Sequence, residues 1–288
     1  MIRILIQLKE CWVINLENRI SNIFKNLKLE NKKAFISFTT AGFPNEDTSL
    51  EIMKSIADSG AHIHEISFPH AEAQADGPII QLANIESIKN GINFDKVIGI
   101  AKEMRAYNQE IGLVMMGYLN NIFIYGIEKF AKEVSGIIDA VICVDLPADV
   151  VEEAQLKQAL KNENIALIKL ITPTTSDERI KTLVEDAEGF IYSVNVAGIT
   201  GVKSAEIDKV NSQILRIKKY TDLPVVSGFG IKTVEDVKNF SQSNADGVVI
   251  GSAIVEKIQE VSKKDTDKKN IAKFVEVFCS ELIENLNS

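Results

Sequence analysis

Residues 224–254 read PVVSGFGIKTVEDVKNFSQSNADGVVIGSAI, a segment in which two short apolar runs flank a stretch with a helical pattern. The runs at 224–228 and 247–251 are rich in β-branched residues and predict strands, and the pattern at 233–243 predicts a helix between them. Two strands joined by a helix run parallel, with a right-handed crossover. The segment therefore predicts a parallel sheet covered by helices.

The same alternation extends along the whole chain. Strands are predicted at 34–38, 62–66, 111–116, 140–144, 166–171, 190–194, 224–228 and 247–251. Helices are predicted near 47–59, 78–90, 94–109, 126–135, 148–162, 176–186, 206–220, 233–243 and 252–284, with a solvated turn at KKDTDKK (263–269) before the last helix. Eight such units fit a closed (β/α)8 TIM barrel of the α/β class. A doubly wound open sheet is the alternative, but TTAGFPN follows the first strand instead of that fold's Gly-x-Gly-x-x-Gly.

The domain organisation follows from length and from the absence of a linker. The chain has 288 residues, which suits one barrel domain, and no Pro/Gly/Ser-rich tract divides it. We predict a catalytic barrel domain at 17–288 that begins with a short helix around 17–28. Residues 1–16 are apolar but are interrupted by Lys9 and Glu10 and lack a basic n-region. They are predicted to be a loosely ordered extension or the product of an upstream start codon.

Composition excludes several classes of protein. The formal charge of −8 lacks the basic footprint of a general nucleic-acid binder. No apolar run reaches the ~18 residues of a membrane span. Three widely spaced cysteines form no disulfide framework, which predicts a cytoplasmic protein, and three histidines without paired cysteines predict no metal site.

The second strand and the loop after it carry two candidate catalytic carboxylates, Glu65 and Asp76. Ile63 and Glu65 share one face of the strand, and because Ile63 must face the apolar barrel interior, Glu65 also points inward near the rim. Burial there raises the pKa of a carboxyl group toward values useful for a general acid. Pairing with a lysine is the structural alternative. Asp76 begins Asp-Gly-Pro, a common turn, which leaves a purely structural role open for it.

The loops after strands 6, 7 and 8 carry glycines where a barrel usually binds phosphate. Residues 227–232 read SGFGIK, and Gly251-Ser252 opens a helix. Glycines let backbone N–H groups approach an anion, and a helix N-terminus adds its dipole, so these two loops predict a phosphate site. The loop at 195–204 contains two glycines around a threonine and suits a lid that closes over the substrate.

Several strings in order resemble the tryptophan synthase alpha subunit family over residues 17–284. They are FTTAGFP (38–44), Glu65 followed by FP (68–69) and ADGP (75–78), Tyr118-x-Asn with IFIYG (122–126), VDLP (144–147), TPTT (172–175), AGITG (197–201), SGFGI (227–231) and IGSAI (250–254). The resemblance implies a lyase that splits indole-3-glycerol phosphate into indole and glyceraldehyde 3-phosphate by retro-aldol chemistry. It also implies transfer of indole to a beta subunit in an alpha2-beta2 assembly. Pyridoxal phosphate is expected only in that partner, and no cofactor is expected in this chain.

The resemblance assigns roles to residues that match the family's motifs. Glu65 matches the general acid/base and Asp76 the carboxylate near the indole N–H, with Tyr192 and Thr200 assisting. The phosphate positions are Gly201, Phe229, Gly230, Gly251 and Ser252. The indole pocket positions are Phe38, Met116, Tyr118, Ile142, Val144 and Ile171.

The sequence departs from the family pattern in the loop that normally helps to dock the beta subunit. The family usually reads Gly-Ile/Val-Pro-Phe-Ser-Asp-Pro-Leu-Ala-Asp-Gly-Pro, whereas residues 67–78 read SFPHAEAQADGP, and Asn121 stands where proline is common. Loss of a proline enlarges the set of loop conformations that docking of the beta subunit must restrict. We therefore predict that the complex with the beta subunit forms but is weakened. A stand-alone lyase and a degenerate subunit that only activates the beta subunit are the alternatives.

Overall fold

A computed structural model describes residues 17–194, 204–228 and 230–288, so the predicted extension at 1–16 lies outside the described residues. Within these ranges the strands are β1 (Ala34–Thr40), β2 (Ile63–Ser67), β3 (Gly112–Gly117), β4 (Ala140–Cys143), β5 (Ala166–Leu167), β6 (Lys169–Ile171), β7 (Ile191–Val194), β8 (Val225–Gly228) and β9 (Gly247–Ile250). The helices are α1 (Arg19–Leu29), α2 (Glu46–Asp58), α3 (Pro78–Lys89), α4 (Phe94–Tyr107), α5 (Leu119–Tyr125), α6 (Ile127–Glu133), α7 (Val151–Asn162), α8 (Asp177–Glu185), α9 (Ser204–Lys218), α10 (Val234–Ser241), α11 (Ser252–Ser262) and α12 (Lys268–Leu286).

The strands form one parallel sheet that returns to its starting point. Their order is β5-β4-β3-β2-β1-β9-β8-β7-β6. The two strands at its ends, β5 and β6, are halves of the single predicted strand 166–171, interrupted at Ile168. The Ile168 N–H still donates to the carbonyl of Val141 on β4 at 3.0 Å. The sheet is therefore a barrel of eight strand positions, and the predicted TIM-barrel fold is confirmed.

The helices follow the prediction with one addition. The turn predicted at 263–269 separates α11 from α12, and Asp267 caps α12 by accepting the N–H groups of Lys269 and Asn270. A short helix that was not predicted, α5, precedes α6, and the two are separated at Gly126. The extra helix α5 carries Asn121.

A buried aspartate, Asp139, connects several elements at the N-terminal end of the barrel. Asp139, 2% exposed, accepts from Nη2 of Arg105 on α4 at 2.7 Å and from Nη1 of Arg19 on α1 at 3.1 Å. It also accepts from the Leu113 N–H of β3 at 2.8 Å. One carboxylate thereby joins two helices and a strand at the end of the barrel opposite the expected site.

The end of the last helix is hydrogen-bonded to the start of the first strand. Asn287, the C-cap of α12, accepts from the N–H of Lys33, the residue before β1, at 2.7 Å through Oδ1 and donates to the Lys33 carbonyl at 3.1 Å through Nδ2. α12 buries Ile271, Val275 and Leu282. Although α12 has 19 residues, neither it nor any other helix in the described ranges is apolar enough to span a membrane.

Candidate active site

Glu65 lies on β2 inside the barrel, with Phe38 of β1 and Val114 of β3 as its neighbours in register. The side chain has no exposed surface, and neither carboxylate oxygen has a hydrogen-bond partner among the described residues. Burial raises the pKa of Glu65 to about 8. The inward orientation and the raised pKa are those expected from the sequence, and no lysine partner is found in the part of the chain that is described.

The predicted indole-pocket residues lie along the same barrel as Glu65, and one of them, Phe38, is its neighbour in register. The residues predicted to form the indole pocket stand on β1, β3, β4 and β6 or in the loops that follow them, and Met116 is paired in register with Ile142. Phe38, Tyr118, Ile142 and Ile171 are buried, and Met116 and Val144 are half-buried. The predicted indole-pocket residues are therefore apolar side chains on or just after strands of the barrel that holds Glu65, and their role in a pocket stays a prediction.

Asp76 is held by a tyrosine at the mouth of the barrel. The hydroxyl of Tyr118 donates to Oδ2 of Asp76 at 3.1 Å and accepts from the Ala75 N–H at 3.0 Å. The amide of Gln81 donates to the carbonyls of Asp76 at 2.9 Å and Ala73 at 3.1 Å, which fixes the loop. Burial raises the pKa of Asp76, and the Tyr118 hydrogen bond partly opposes this rise.

Tyr192 on β7 faces both acids. Burial raises the pKa of its hydroxyl well above the usual value, and the charges of Glu65 and Asp76 raise it further. Space for the hydroxyl depends on Gly228 of β8, where an added Cβ would lie 2.5 Å from the Tyr192 oxygen. The structure therefore brings Glu65, Asp76 and Tyr192 to one mouth of the barrel.

The start of α11 is the described part of the predicted phosphate site. Gly251 is the N-cap, its carbonyl accepts from the Val255 N–H at 3.0 Å, and Ser252 begins the helix with an exposed side chain. The first N–H groups of an α-helix have no intrahelical acceptor and favour an anion. Gly230 is exposed after the neighbouring strand β8. A Cβ on Gly251 would lie 3.0 Å from the ring of Phe38, so a glycine at this position avoids a close contact with that ring.

Three predicted residues cannot be placed. Thr200, Gly201 and Phe229 lie outside the described residues, and their roles stay predictions.

Sequence reasoning missed two groups next to the site. The sequence placed Gly228 at the end of a strand and in the predicted phosphate loop SGFGIK, but its clearance for Tyr192 depends on contact between β7 and β8. Asn84 on α3 is 1% exposed, and neither polar atom of its amide has a hydrogen-bond partner among the described residues. The amide is near enough to the Asp76 carboxyl group to lower its pKa. Asn84 lies on α3, the helix that begins just after Asp76. Nothing in the sequence distinguishes a buried asparagine within a helix from an exposed one.

Two other titratable groups in the barrel wall, His64 and Lys169, have polar partners, whereas the buried hydroxyls of Thr40 and Ser193 have no hydrogen-bond partner among the described residues. The imidazole of His64 lies between the hydroxyls of Ser37 at 2.6 Å and Thr39 at 2.9 Å, and burial lowers its pKa to about 3. The ammonium group of the buried Lys169 is paired with Glu153. In the described ranges no three His, Cys, Asp or Glu side chains are grouped so that they could hold a metal ion.

Comparison with known proteins gives the family. The model for the tryptophan synthase alpha chain matches residues 24–287. The chain belongs to the tryptophan synthase alpha chain family. This membership confirms the resemblance drawn from the motifs and gives the chain a general role as a lyase.

Solved structures agree with the family model. The tryptophan synthase alpha subunit of Legionella pneumophila str. Paris is 31% identical, with 93% of this chain and 98% of that chain covered and a TM-score of 0.84. The alpha chain of Legionella pneumophila subsp. pneumophila is 30% identical, covering 93% and 97%, with a TM-score of 0.83. A protein of Aquifex aeolicus VF5 is 33% identical, covering 94% and 100%, with a TM-score of 0.81.

Proposed function

We propose that this chain cleaves indole-3-glycerol phosphate to indole and glyceraldehyde 3-phosphate by a retro-aldol reaction, as a cytoplasmic tryptophan synthase alpha subunit. The observation that carries the proposal is Glu65, a buried carboxyl group without a hydrogen-bond partner among the described residues. Phe38, its neighbour in register on β1, lies against Gly251 at the N-terminus of α11. An apolar pocket between this acid and a helix N-terminus would accept a flat aromatic ring that carries a phosphate tail.

Glu65 acts first as an acid and then as a base. With a pKa of about 8, the carboxyl group is mostly protonated at neutral pH. It donates this proton to C3 of the indole ring, which leaves the ring positively charged at N1. The resulting carboxylate then takes the proton of the hydroxyl on the adjacent glycerol carbon. That carbon becomes the aldehyde, the carbon–carbon bond breaks, and its electron pair returns to the ring.

Asp76 and Tyr192 stabilise the charges that develop during these steps. The carboxylate of Asp76 lies near N1–H and compensates the positive charge there. Tyr192, whose raised pKa keeps it protonated, donates toward the reacting oxygen. The resemblance assigns closure of the lid over Asp76 to Thr200, which lies outside the described residues. The mechanism uses acid–base groups of this chain alone, and pyridoxal phosphate belongs to the partner subunit.

The substrate phosphate binds where β8 and β9 end. The N–H groups at the start of α11, together with Gly230, offer donors to the anion. Gly201 and Phe229 complete the site in this proposal. Because Phe38 lies against Gly251 and neighbours Glu65 in register, one residue links the phosphate end to the reacting end of the substrate.

A beta subunit docks at the same mouth of the barrel in an alpha2-beta2 assembly. Apolar side chains at this rim are exposed: Ile124 is 77% exposed, Val151 68% and Phe123 58%. Exposed apolar groups clustered at one face are typical of an interaction site. A beta subunit docked at this rim encloses the indole as the indole leaves the barrel. The intact pair of Glu65 and Asp76 argues against a degenerate subunit.

The test measures indole and glyceraldehyde 3-phosphate released from indole-3-glycerol phosphate, with and without a cognate beta subunit. We expect equimolar products and a rate that rises when the beta subunit is added. The matched control is Glu110→Gln, which neutralises an exposed carboxylate at the opposite end of the barrel and leaves the rate unchanged. Absence of both products with and without the partner would exclude the lyase, and full activity with no response to the partner would favour the stand-alone enzyme.

A further inference from the structure

Two departures from the family pattern contact each other although they are 51 residues apart. His70 stands in the loop after β2, where the pattern has phenylalanine, and Asn121 stands on α5, where proline is common. Nδ1 of His70 lies 2.9 Å from Oδ1 of Asn121. The amide oxygen only accepts, so the imidazole donates from Nδ1. A phenylalanine at position 70 has no donor for this hydrogen bond, and a proline at position 121 has no side-chain acceptor for it. The hydrogen bond therefore exists only because both positions depart from the family pattern.

The imidazole covers the face of the tyrosine that holds Asp76. The rings of His70 and Tyr118 are stacked, with centroids 4.6 Å apart and planes at 20°. The far end of the tyrosine is fixed because its hydroxyl bonds to Asp76 and to the Ala75 N–H. A tyrosine ring held at its hydroxyl end by hydrogen bonds still rotates about its long axis, and this rotation turns the O–H bond, which prefers the plane of the ring. Stacking of His70 on the ring face restricts the rotation and thereby fixes the direction of the O–H bond.

We propose that His70 is a positioning residue for Asp76, acting through Tyr118, and that Asn121 holds the imidazole in the stacked orientation. This inference rests on the proposed function of Asp76. His70 itself touches no reacting atom. Its effect is to increase the fraction of molecules in which the Tyr118 hydroxyl is directed at Oδ2 of Asp76.

The size of the effect follows from the contact. An aromatic pair contributes an interaction that corresponds to about a 2- to 10-fold change in a conformational population. Loss of the stack therefore lowers kcat by about that factor and changes KM less, because Tyr118 is one of six predicted indole-pocket residues and the phosphate contacts of the substrate are untouched. Asn121 acts only through the imidazole, so its contribution exists only when residue 70 is histidine.

A double-mutant cycle tests this dependence in the full chain, alone and with the beta subunit. We expect His70→Ala to lower kcat by about 2- to 10-fold and His70→Phe to retain most of it, because phenylalanine keeps the stacking face. Asn121→Ala lowers kcat in the His70 protein and has no effect in the His70→Phe protein. Glu128→Gln, an exposed change on the neighbouring α6, is the control. Unchanged kcat in His70→Ala, or the same Asn121→Ala loss in both backgrounds, would overturn the proposal.

A second measurement separates this inference from the proposed reaction. In protein labelled with 13C at tyrosine, the ring resonance of Tyr118, assigned with Tyr118→Phe, reports its orientation without any turnover. We expect it to shift in His70→Ala and in Asn121→Ala. If the wild type releases no indole, the proposed function fails. If the resonance does not move, the positioning role fails, whatever the activity.

Discussion

Glu65→Gln keeps the shape of the side chain and removes its titrating proton. A glutamine cannot donate a proton to C3 or accept one from the hydroxyl, and general acid–base groups contribute about 10²–10⁴-fold to a rate. We expect a loss of that size in indole release, with substrate analogues still bound. The same substitution also removes a buried carboxyl group that has no hydrogen-bond partner in the described part of the chain, so it changes the stability of the protein.

The sign of the stability change follows from the direction of the pKa shift. The pKa of Glu65 is about 8 in the folded protein and near 4.5 in the unfolded chain, so between these values the folded protein binds more protons. The free energy of unfolding therefore falls as pH rises through this window. At 1.36 kcal/mol per pKa unit, the wild type loses ~4 kcal/mol relative to Glu65→Gln between pH 5 and pH 9.

Urea unfolding of both proteins at pH 5, 7 and 9 measures this difference directly. We expect the glutamine variant to be the more stable protein at pH 9, with the gap closing toward pH 5. The pH profile of kcat/KM gives an independent check, because wild-type activity declines above about pH 8 as the acid ionises. A stability difference that does not change from pH 5 to pH 9 would refute the buried, raised-pKa assignment.

Three further substitutions test other parts of the structure. Gly251→Asp places a carboxylate against the incoming phosphate, so calorimetry should show no binding of glycerol phosphate analogues by a folded protein; normal affinity would move the phosphate site elsewhere. Gly228→Ala pushes the Tyr192 ring, whose oxygen lies 2.5 Å from the new Cβ, and should lower kcat by up to ~10²-fold; an unchanged kcat would remove Tyr192 from the mechanism. Asp139→Asn leaves Arg105 buried without its counter-charge and should reduce the free energy of unfolding by about 3–5 kcal/mol; a urea midpoint equal to wild type contradicts this.

The strands were predictable because their signal is local. Strands of a parallel barrel are buried on both faces, so they read as short apolar runs bounded by turn residues. β1 is buried at every position, and this pattern is visible in the sequence. The period of two also predicted the direction of Glu65, because Ile63 on the same face has to be inside. The interruption at Ile168 and the short helix α5 were not predicted, since neither alters the apolar pattern around it.

The contacts within the site were less predictable because they join distant parts of the chain. The resemblance placed Tyr118 in the indole pocket, but its hydrogen bond to Asp76 depends on how the loop after β2 folds over β3. The stack of His70 on Tyr118 depends on the same loop. The sequence shows both departures from the family pattern, at His70 and Asn121, but only the fold shows that they are partners.

The pairing of the first strand with the last has a consequence for synthesis on the ribosome. One edge of β1 pairs with β2 soon after both emerge, whereas the other edge pairs with β9, about 210 residues later in the chain. At the usual rates of translation this interval lasts about 10–40 s. Throughout it β1 exposes unpaired N–H and C=O groups beside apolar side chains, the arrangement that most readily recruits another strand. A ribosome that stalls before Gly247 therefore holds an open sheet, and we expect the nascent chain to require chaperone protection until β9 has emerged.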